Sequence, residues 1–394
     1  PMSPSFKIAM NAKDAKALRV ISEMANTNPF SVRRFELENR ILGKDFSPES
    51  SIAWNRREDK AGAELRPNVK LISQKAVGVV DRILQAREEG KSGVPCELRQ
   101  EYWDVATYIL LYRHITPLHY GDFWGKSKSQ RQVIATAWQE FLVDYCRLFG
   151  VDESYSLDPK AAAHLFACLA QVHRAFFHIF DFILGDSLPV TRLRERVWES
   201  IFSCDLARYH RSLFDHMRDL STLVTGPSGT GKELVARAIG LSQYIPFDCE
   251  AEQFVGDHRE AFFPLNLSAL SPTLIESELF GHHRGAFTGA VEERIGWLES
   301  CSPHGAVFLD EIGELDAVMQ VKLLRVVQQR TYSRLGETKE RRFHGKIISA
   351  TNRNLFDEIN AGRFREDFYF RLCSDRIVTP SLREQLDDRP SDIR

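Results

Sequence analysis

The stretch Thr222-Leu-Val-Thr-Gly226-Pro-Ser-Gly-Thr-Gly-Lys232-Glu233 decides how this chain is read. A short apolar run, Thr222–Thr225, leads into a glycine-rich turn, and the turn opens an amphipathic helical pattern over 233–241. A strand–loop–helix of this composition wraps successive backbone N–H groups around anionic oxygens and adds the positive end of a helix. The lysine then neutralises the β- and γ-phosphates of a nucleotide. Candidate binding residues are therefore Gly226, Pro227, Ser228, Gly229, Thr230, Gly231, Lys232 and Glu233. The Gly-x4-Gly-Lys spacing alone is a weak signal, and the strand before it and helix after it give it weight. Glu233 stands where a generic loop of this kind sets a Ser or Thr hydroxyl on magnesium, which puts ligation through that position in doubt.

Working outward, short apolar runs at 222–225, 262–267, 306–309, 346–350 and 376–379 alternate with helical patterns. That alternation predicts an α/β fold with a five-stranded, parallel, doubly wound sheet, whose strand ends form the ligand-binding edge. The third run ends in Asp310 and Glu311. Asp310 is placed to hold a metal shell and Glu311 to polarise an attacking water as general base. The competing reading is a strand end capped by acids. Ser349-Ala-Thr351-Asn352 closes the fourth run, where an amide can orient a water and report on a γ-phosphate; an ordinary strand-to-loop turn is the alternative. Asn266, ending the second run, is placed to hydrogen-bond Glu311. Arg365 and Arg371 are six residues apart, about 240° of helical rotation, so they cannot serve one point together. One of them can act across a subunit boundary, an effect worth ~10³–10⁵ in phosphoryl-transfer rate. Pairing with Glu366 and Asp367 is the plainer reading.

Gly285-Ala286-Phe287-Thr288-Gly289-Ala290 lies between these two chemical centres. Four of its six residues are Gly or Ala, so the backbone is free to take tight or left-handed geometry and presents Phe287 and Thr288 on a nearly bare loop. An ordinary turn with Phe287 in the core is the alternative. Lys339, Arg341 and Arg342 read as a solvated basic loop.

The first 195 residues carry a helical pattern, with apolar residues three and four apart near 13–25, 98–113, 128–148 and 160–184. Tyr102, Trp103, Trp124, Trp138, Phe176, Phe177 and Phe180 are read as buried core rather than a ligand pocket. His164, His173 and His178 do not share one helical face, so they are not read as a metal set. A net charge of −2 over 394 residues excludes a global basic field for nucleic acid. Seven scattered cysteines without a CxxC pair fit reduced thiols and no zinc ribbon. The most apolar run, 165–184, contains Gln171, His173, Arg174, His178 and Asp181, too polar for a membrane span.

Taken in order and spacing, residues 226–233, 276–290, 306–315 and 361–372 resemble the central AAA+ domain of bacterial enhancer-binding proteins, the activators of sigma-54 RNA polymerase. The resemblance spans 196–394, with 1–195 a mainly helical regulatory region of unrecognised type. It implies an AAA+ P-loop ATPase using ATP and Mg2+ in the cytoplasm, with Lys232-Glu233 as the family's own loop ending. It implies that residues 285–290 touch sigma-54 through Phe287 and Thr288, that Asn266 is a switch, and that Thr351 and Asn352 are a sensor. Arg365 and Arg371 are implied to act in trans within a homo-oligomeric ring, and residues 333–343 to face promoter complexes. Two departures stand out. Residues 242–261 are longer than the pattern, and the chain stops at Arg394, where a helical lid and a DNA-binding helix-turn-helix are expected to follow. A nucleotide-dependent binding module without turnover, and a remodeller of another client, are the other readings.

Overall fold

Why the chain folds around its second half is plainest in the strand Ala306–Asp310, of which all but the last residue is buried. A strand covered on both faces reads as a continuous apolar run, the mark of a parallel sheet. The computed structural model describes residues 10–48, 67–89, 94–118, 127–151, 153–203, 206–257, 261–287 and 290–393. Within it the strands β1 (Thr222–Thr225), β2 (Phe262–Asn266), β3 (Ala306–Asp310), β4 (Lys346–Thr351) and β5 (Asp375–Val378) form one sheet in the order β5-β1-β4-β3-β2. Every neighbouring pair is parallel. The register sets Thr225 beside Thr351 and Asn266 beside Asp310, so the loops leaving these strands share one edge. The α/β class and the five parallel strands are as the sequence predicts. Leu267 is the exception at the second run. It turns into a short 3₁₀ segment in which the Ser268 N–H donates to the Asn266 side chain.

The core beneath the sheet joins Leu223, Leu265, Val307, Leu309 and Ile347 to Ile275, Leu279, Leu323 and Phe368 from the flanking helices. These side chains are at most 5% exposed, so trimming one such leucine to alanine costs about 2–5 kcal/mol.

Ahead of the sheet in the sequence, the longer helices among the described residues are α1 (Ala12–Asn26), α2 (Val32–Leu42), α3 (Pro67–Glu88), α4 (Arg99–Leu110), α5 (Lys128–Phe149), α6 (Pro159–Phe182) and α7 (Leu188–Phe202). Four answer the predicted stretches, while α2, α3 and α7 are additional. Local chemistry fixes their starts. Asn11 accepts the Asp14 N–H at α1, Ser127 and Gln130 form a reciprocal capping box at α5, and a proline opens α7.

The chain divides into two compact units whose segments interleave. One holds Pro1–Arg174, Cys204–Arg211 and Pro246–Val255; the other holds Ala175–Ser203, Ser212–Ile245 and Gly256–Arg394. In the first, Tyr102, Trp138, Phe141, Phe149 and Phe166 are almost wholly buried; of the other aromatics expected in the core, Phe180 is buried and Trp103, Phe176 and Phe177 are half-buried. Trp124 lies outside the described residues. The long stretch 242–261 has a use here: Phe247 and Phe254 sit on a small antiparallel hairpin. The Phe247 ring lies 5.0 Å from Trp138 and 4.8 Å from Phe166, extending the aromatic cluster. His178, buried in the second unit, bonds Ser242.

Candidate functional site

The loop after β1 is shaped by what surrounds it. Gly226 has φ +154°, and a Cβ there would lie 2.2 Å from Thr379 Oγ1 and 2.8 Å from its carbonyl oxygen. Only glycine fits that approach. Thr230 donates to the Pro227 carbonyl at 2.8 Å and meets Thr379 Oγ1 at 2.6 Å, folding the loop back against the residue after β5. Helix α8 (Lys232–Gly240) then begins at Lys232, with Gly231 left-handed at its N-cap. Lys232 is 7% exposed, and its ammonium donates to the carbonyls of Gly226 and Pro227, both at 3.1 Å. A glycine-rich backbone, a helix N-terminus and a sequestered cation thus lie within one short loop, the arrangement that can hold a phosphate. Glu233 is exposed and pairs with Arg237 at 3.4 Å.

At the end of β3 the backbone is strained. Glu311 is in the left-handed region, φ 57° and ψ 51°, which costs a non-glycine residue of order 1–3 kcal/mol. The turn lets its N–H donate to Asp310 Oδ1 at 3.1 Å and sends its own carboxylate toward β4, where Oε2 accepts the Asn352 N–H at 3.2 Å. Asn352 Nδ2 in turn donates to Ser228 Oγ at 2.9 Å. One asparagine therefore links Glu311 to the glycine-rich loop. Burial raises the Asp310 carboxyl above the usual range, and the like charge of Glu311 adds to this.

Three expectations need adjustment. Asn266 does not reach Glu311; its Nδ2 approaches Asp310 Oδ2 at 3.5 Å, because its oxygen is fixed by Ser268 and β2 is paired so that Asn266 faces Asp310. Thr351 is buried, with its Oγ1 accepting the Arg353 N–H, and only Asn352 of the pair reaches the loop. Arg365 stands at the N-cap position of the helix Glu366–Leu372 without a side-chain capping bond and is exposed, and its guanidinium pairs with Asp367 at 2.7 Å. Arg371, in that helix's last turn, is exposed as well. Among the described residues neither arginine bonds the glycine-rich loop or the two carboxylates.

The third predicted region is built from its root. Gly281–His282 pairs antiparallel with Arg294–Ile295. The strand is also stitched to the later loop, with His283 N–H donating to Leu335 O at 3.1 Å and Leu335 N–H to Gly281 O at 3.0 Å. The 285–290 and 333–343 loops therefore share a base. Arg334, 7% exposed, fastens it by ion pairs to Glu299 and Glu293. Arg341 adds pairs to Glu299 and Glu337, so it is not the solvated residue the basic cluster suggests. These cations hold the Glu299 carboxyl below its ordinary range, chiefly through the Arg334 hydrogen bonds. Beyond the root, Gly285 is left-handed at φ +80°, and its N–H donates to Ala290 O at 2.8 Å, closing the loop. Ala286 donates to His283 O and Ala290 to Phe287 O. Phe287 is half-buried, its ring edge-on to His282 at 4.9 Å; it is neither bare nor in the core. Thr288 and Gly289 lie outside the described residues.

With this geometry in view, comparison places the region. Residues 207–378 match the family model of the Sigma-54 interaction domain. Over 185 residues, 46% of this chain, the sequence is 45% identical to the Nif-specific regulatory protein of Azotobacter vinelandii and takes in 33% of that protein. Over 175 residues, 44% of this chain, it is 45% identical to the sigma54-dependent transcriptional activator SfnR of Pseudomonas putida, 43% of which is matched. The match thus spans less than half the length of either curated relative. Among solved structures, NtrX from Brucella abortus in complex with ATP aligns over 64% of this chain and 52% of its own, at 26% identity and a TM-score of 0.41, too low a likeness to carry an argument. Among the described residues no helix is long and apolar enough to cross a membrane. Residues 207–378, which carry all five strands of the parallel sheet, are thus similar to the Sigma-54 interaction domain.

Proposed function

We propose that this chain hydrolyses ATP in the cytoplasm and uses the cycle to remodel sigma-54 RNA polymerase through the 285–290 loop. The observation that carries this reading is the Glu311–Asn352–Ser228 connection, which ties a general-base carboxylate to the phosphate-cradling loop. Gly226 to Lys232 would hold the phosphates, with the Lys232 ammonium exchanging its carbonyl partners for phosphate oxygens. Glu311 would orient and deprotonate the attacking water, and Asn352 would transmit the presence of the γ-phosphate to it. Asn266 would act as the switch through Asp310. The donor set suits magnesium: the ionised Asp310 carboxyl is disfavoured first by burial and then by the like charge of Glu311, a cost that a dication relieves, while Glu233 offers no hydroxyl ligand. Bound there, Mg2+ would neutralise charge on the phosphate oxygens.

Arg365 would serve a neighbouring subunit across a head-to-tail ring interface, and Arg371 would stand behind it. Phe287 and Thr288 would contact sigma-54, the 333–343 loop would face promoter DNA, and residues 1–195 would regulate 196–394.

Steady-state ATPase measurement of the chain and its Glu311→Gln variant tests the reading. Turnover is expected to fall by ~10²–10⁴ with nucleotide binding retained. Equal, background-level rates would favour a nucleotide-dependent module without turnover. Retention of sigma-54 by the chain should drop with Phe287→Ala; unchanged retention would point to a different client.

A further inference from the structure

Helix α6 carries His164 and Cys168 four residues apart, one turn, so both leave the same face. The segment Tyr209–Leu213 brings His210 against them within the same compact unit. One ligand-capable atom from each of the three lies within 4.8 Å of the others, and Cys168 Sγ is 3.8 Å and 3.9 Å from the two ring nitrogens of His164. Nitrogens and a sulfur bound tetrahedrally to zinc sit about 3.3–3.6 Å apart, so closing on an ion takes roughly an ångström of side-chain movement.

Two further observations give the cluster the character of a ligand set. His164 Nε2 meets the His210 carbonyl at 2.9 Å; donating there, it fixes the tautomer and leaves Nδ1 with its lone pair. Metal-bound histidines are oriented by this kind of bond to a backbone carbonyl. His210 Nε2 is buried with no hydrogen-bond partner, a polar atom that protein interiors rarely leave unmet. Cys168 is 2% exposed and both histidines are half-buried, with the Trp103 ring edge-on to His210 at 5.2 Å. Two imidazoles and a thiolate favour zinc and similar transition metals over Mg2+ or Ca2+.

We infer that His164, Cys168 and His210 form a binding site for a borderline-soft divalent transition metal, these three being its ligands among the described residues. The site does not depend on the ATPase reading. The histidine spacing along the sequence hides it, because His210 comes from a different segment and the partner within α6 is a cysteine.

The full chain, tag-free and stripped with chelator, is titrated with Co2+ in the absence of nucleotide. One Co2+ per chain with a thiolate-to-cobalt charge-transfer band is expected. The band should vanish in Cys168→Ser, and affinity should fall at least about tenfold in His210→Ala, while His216→Ala, at an exposed histidine, binds as wild type. X-ray absorption of the zinc-loaded wild-type chain should give one sulfur and two imidazole nitrogens, a readout that needs no variant to fold. No stoichiometric uptake, a band that survives Cys168→Ser, loss of uptake in His216→Ala, or a sulfur-free zinc shell would each overturn the site and leave a histidine–cysteine core contact.

Discussion

The strand-end edge and the root of the 285–290 loop are held by different forces. At the edge the contacts are single hydrogen bonds, most of them to backbone, and no ion pair takes part: Lys232 on two carbonyls, Asn352 between Glu311 and Ser228, and one glutamate in left-handed backbone. At the root, Arg334 and Arg341 collect Glu293, Glu299 and Glu337 from three separate stretches. Geometry governs the first region and charge governs the second. An edge held by exact backbone fit responds to one added methyl group. A root held by ion pairs responds to pH and to loss of a cation.

Gly226→Ala should have the largest effect on this contrast. Its methyl group would need to occupy space held by Thr379, so nucleotide binding should be lost and stability should drop by about 1–3 kcal/mol. Chemical denaturation and a nucleotide titration read both; wild-type values would mean that the loop is not held by fit. Arg334→Ala comes next. Its head is buried but both carboxylate partners are partly exposed, so the expected cost is about 1–2 kcal/mol. Amide exchange should rise at 281–287 and 331–343 and stay unchanged at 306–311. Equal loosening of both regions would erase the distinction.

A pH titration gives the smallest and most selective effect. Glu299 is depressed in the fold, so its stabilisation is present above the ordinary glutamate value of 4.5 and lost as pH falls through the lower folded value. Asp310 is raised, so its contribution runs the other way: it is present below the ordinary aspartate value of 3.8 and lost as pH rises through the folded value. Acidification below about pH 4.5 should therefore loosen the root while leaving the strand ends protected, and Glu299→Gln should weaken that response.

Much of the edge was legible because its elements are locally determined. Parallel strands announce themselves as apolar runs, and Gly226 to Lys232 sits between a strand and a helix that periodicity alone predicts. The root was not. Arg334 looks like one more loop cation until Glu293 and Glu299 arrive from the other side of the hairpin. Asn266 was assigned the wrong partner because β2–β3 register, which faces it to Asp310, is set by the whole sheet. Helix α3 had a readable stripe in Val69, Ile72, Ala76, Val79 and Ile83 that the helical stretches passed over. Helix α2 is harder to read, since the buried ion pair Arg34–Glu38 shares its inward face with only Leu37 and Leu42.

The central claim is that events at Glu311 are felt at the shared base of the two loops. Hydrogen exchange of the full chain with and without ATP, in wild type and Glu311→Gln, tests it most directly. The account predicts that ATP changes protection at 281–287 and 331–336 as well as at 226–232, with the change persisting in the variant that cannot turn over. A nucleotide response confined to the glycine-rich loop and the two carboxylates would contradict it.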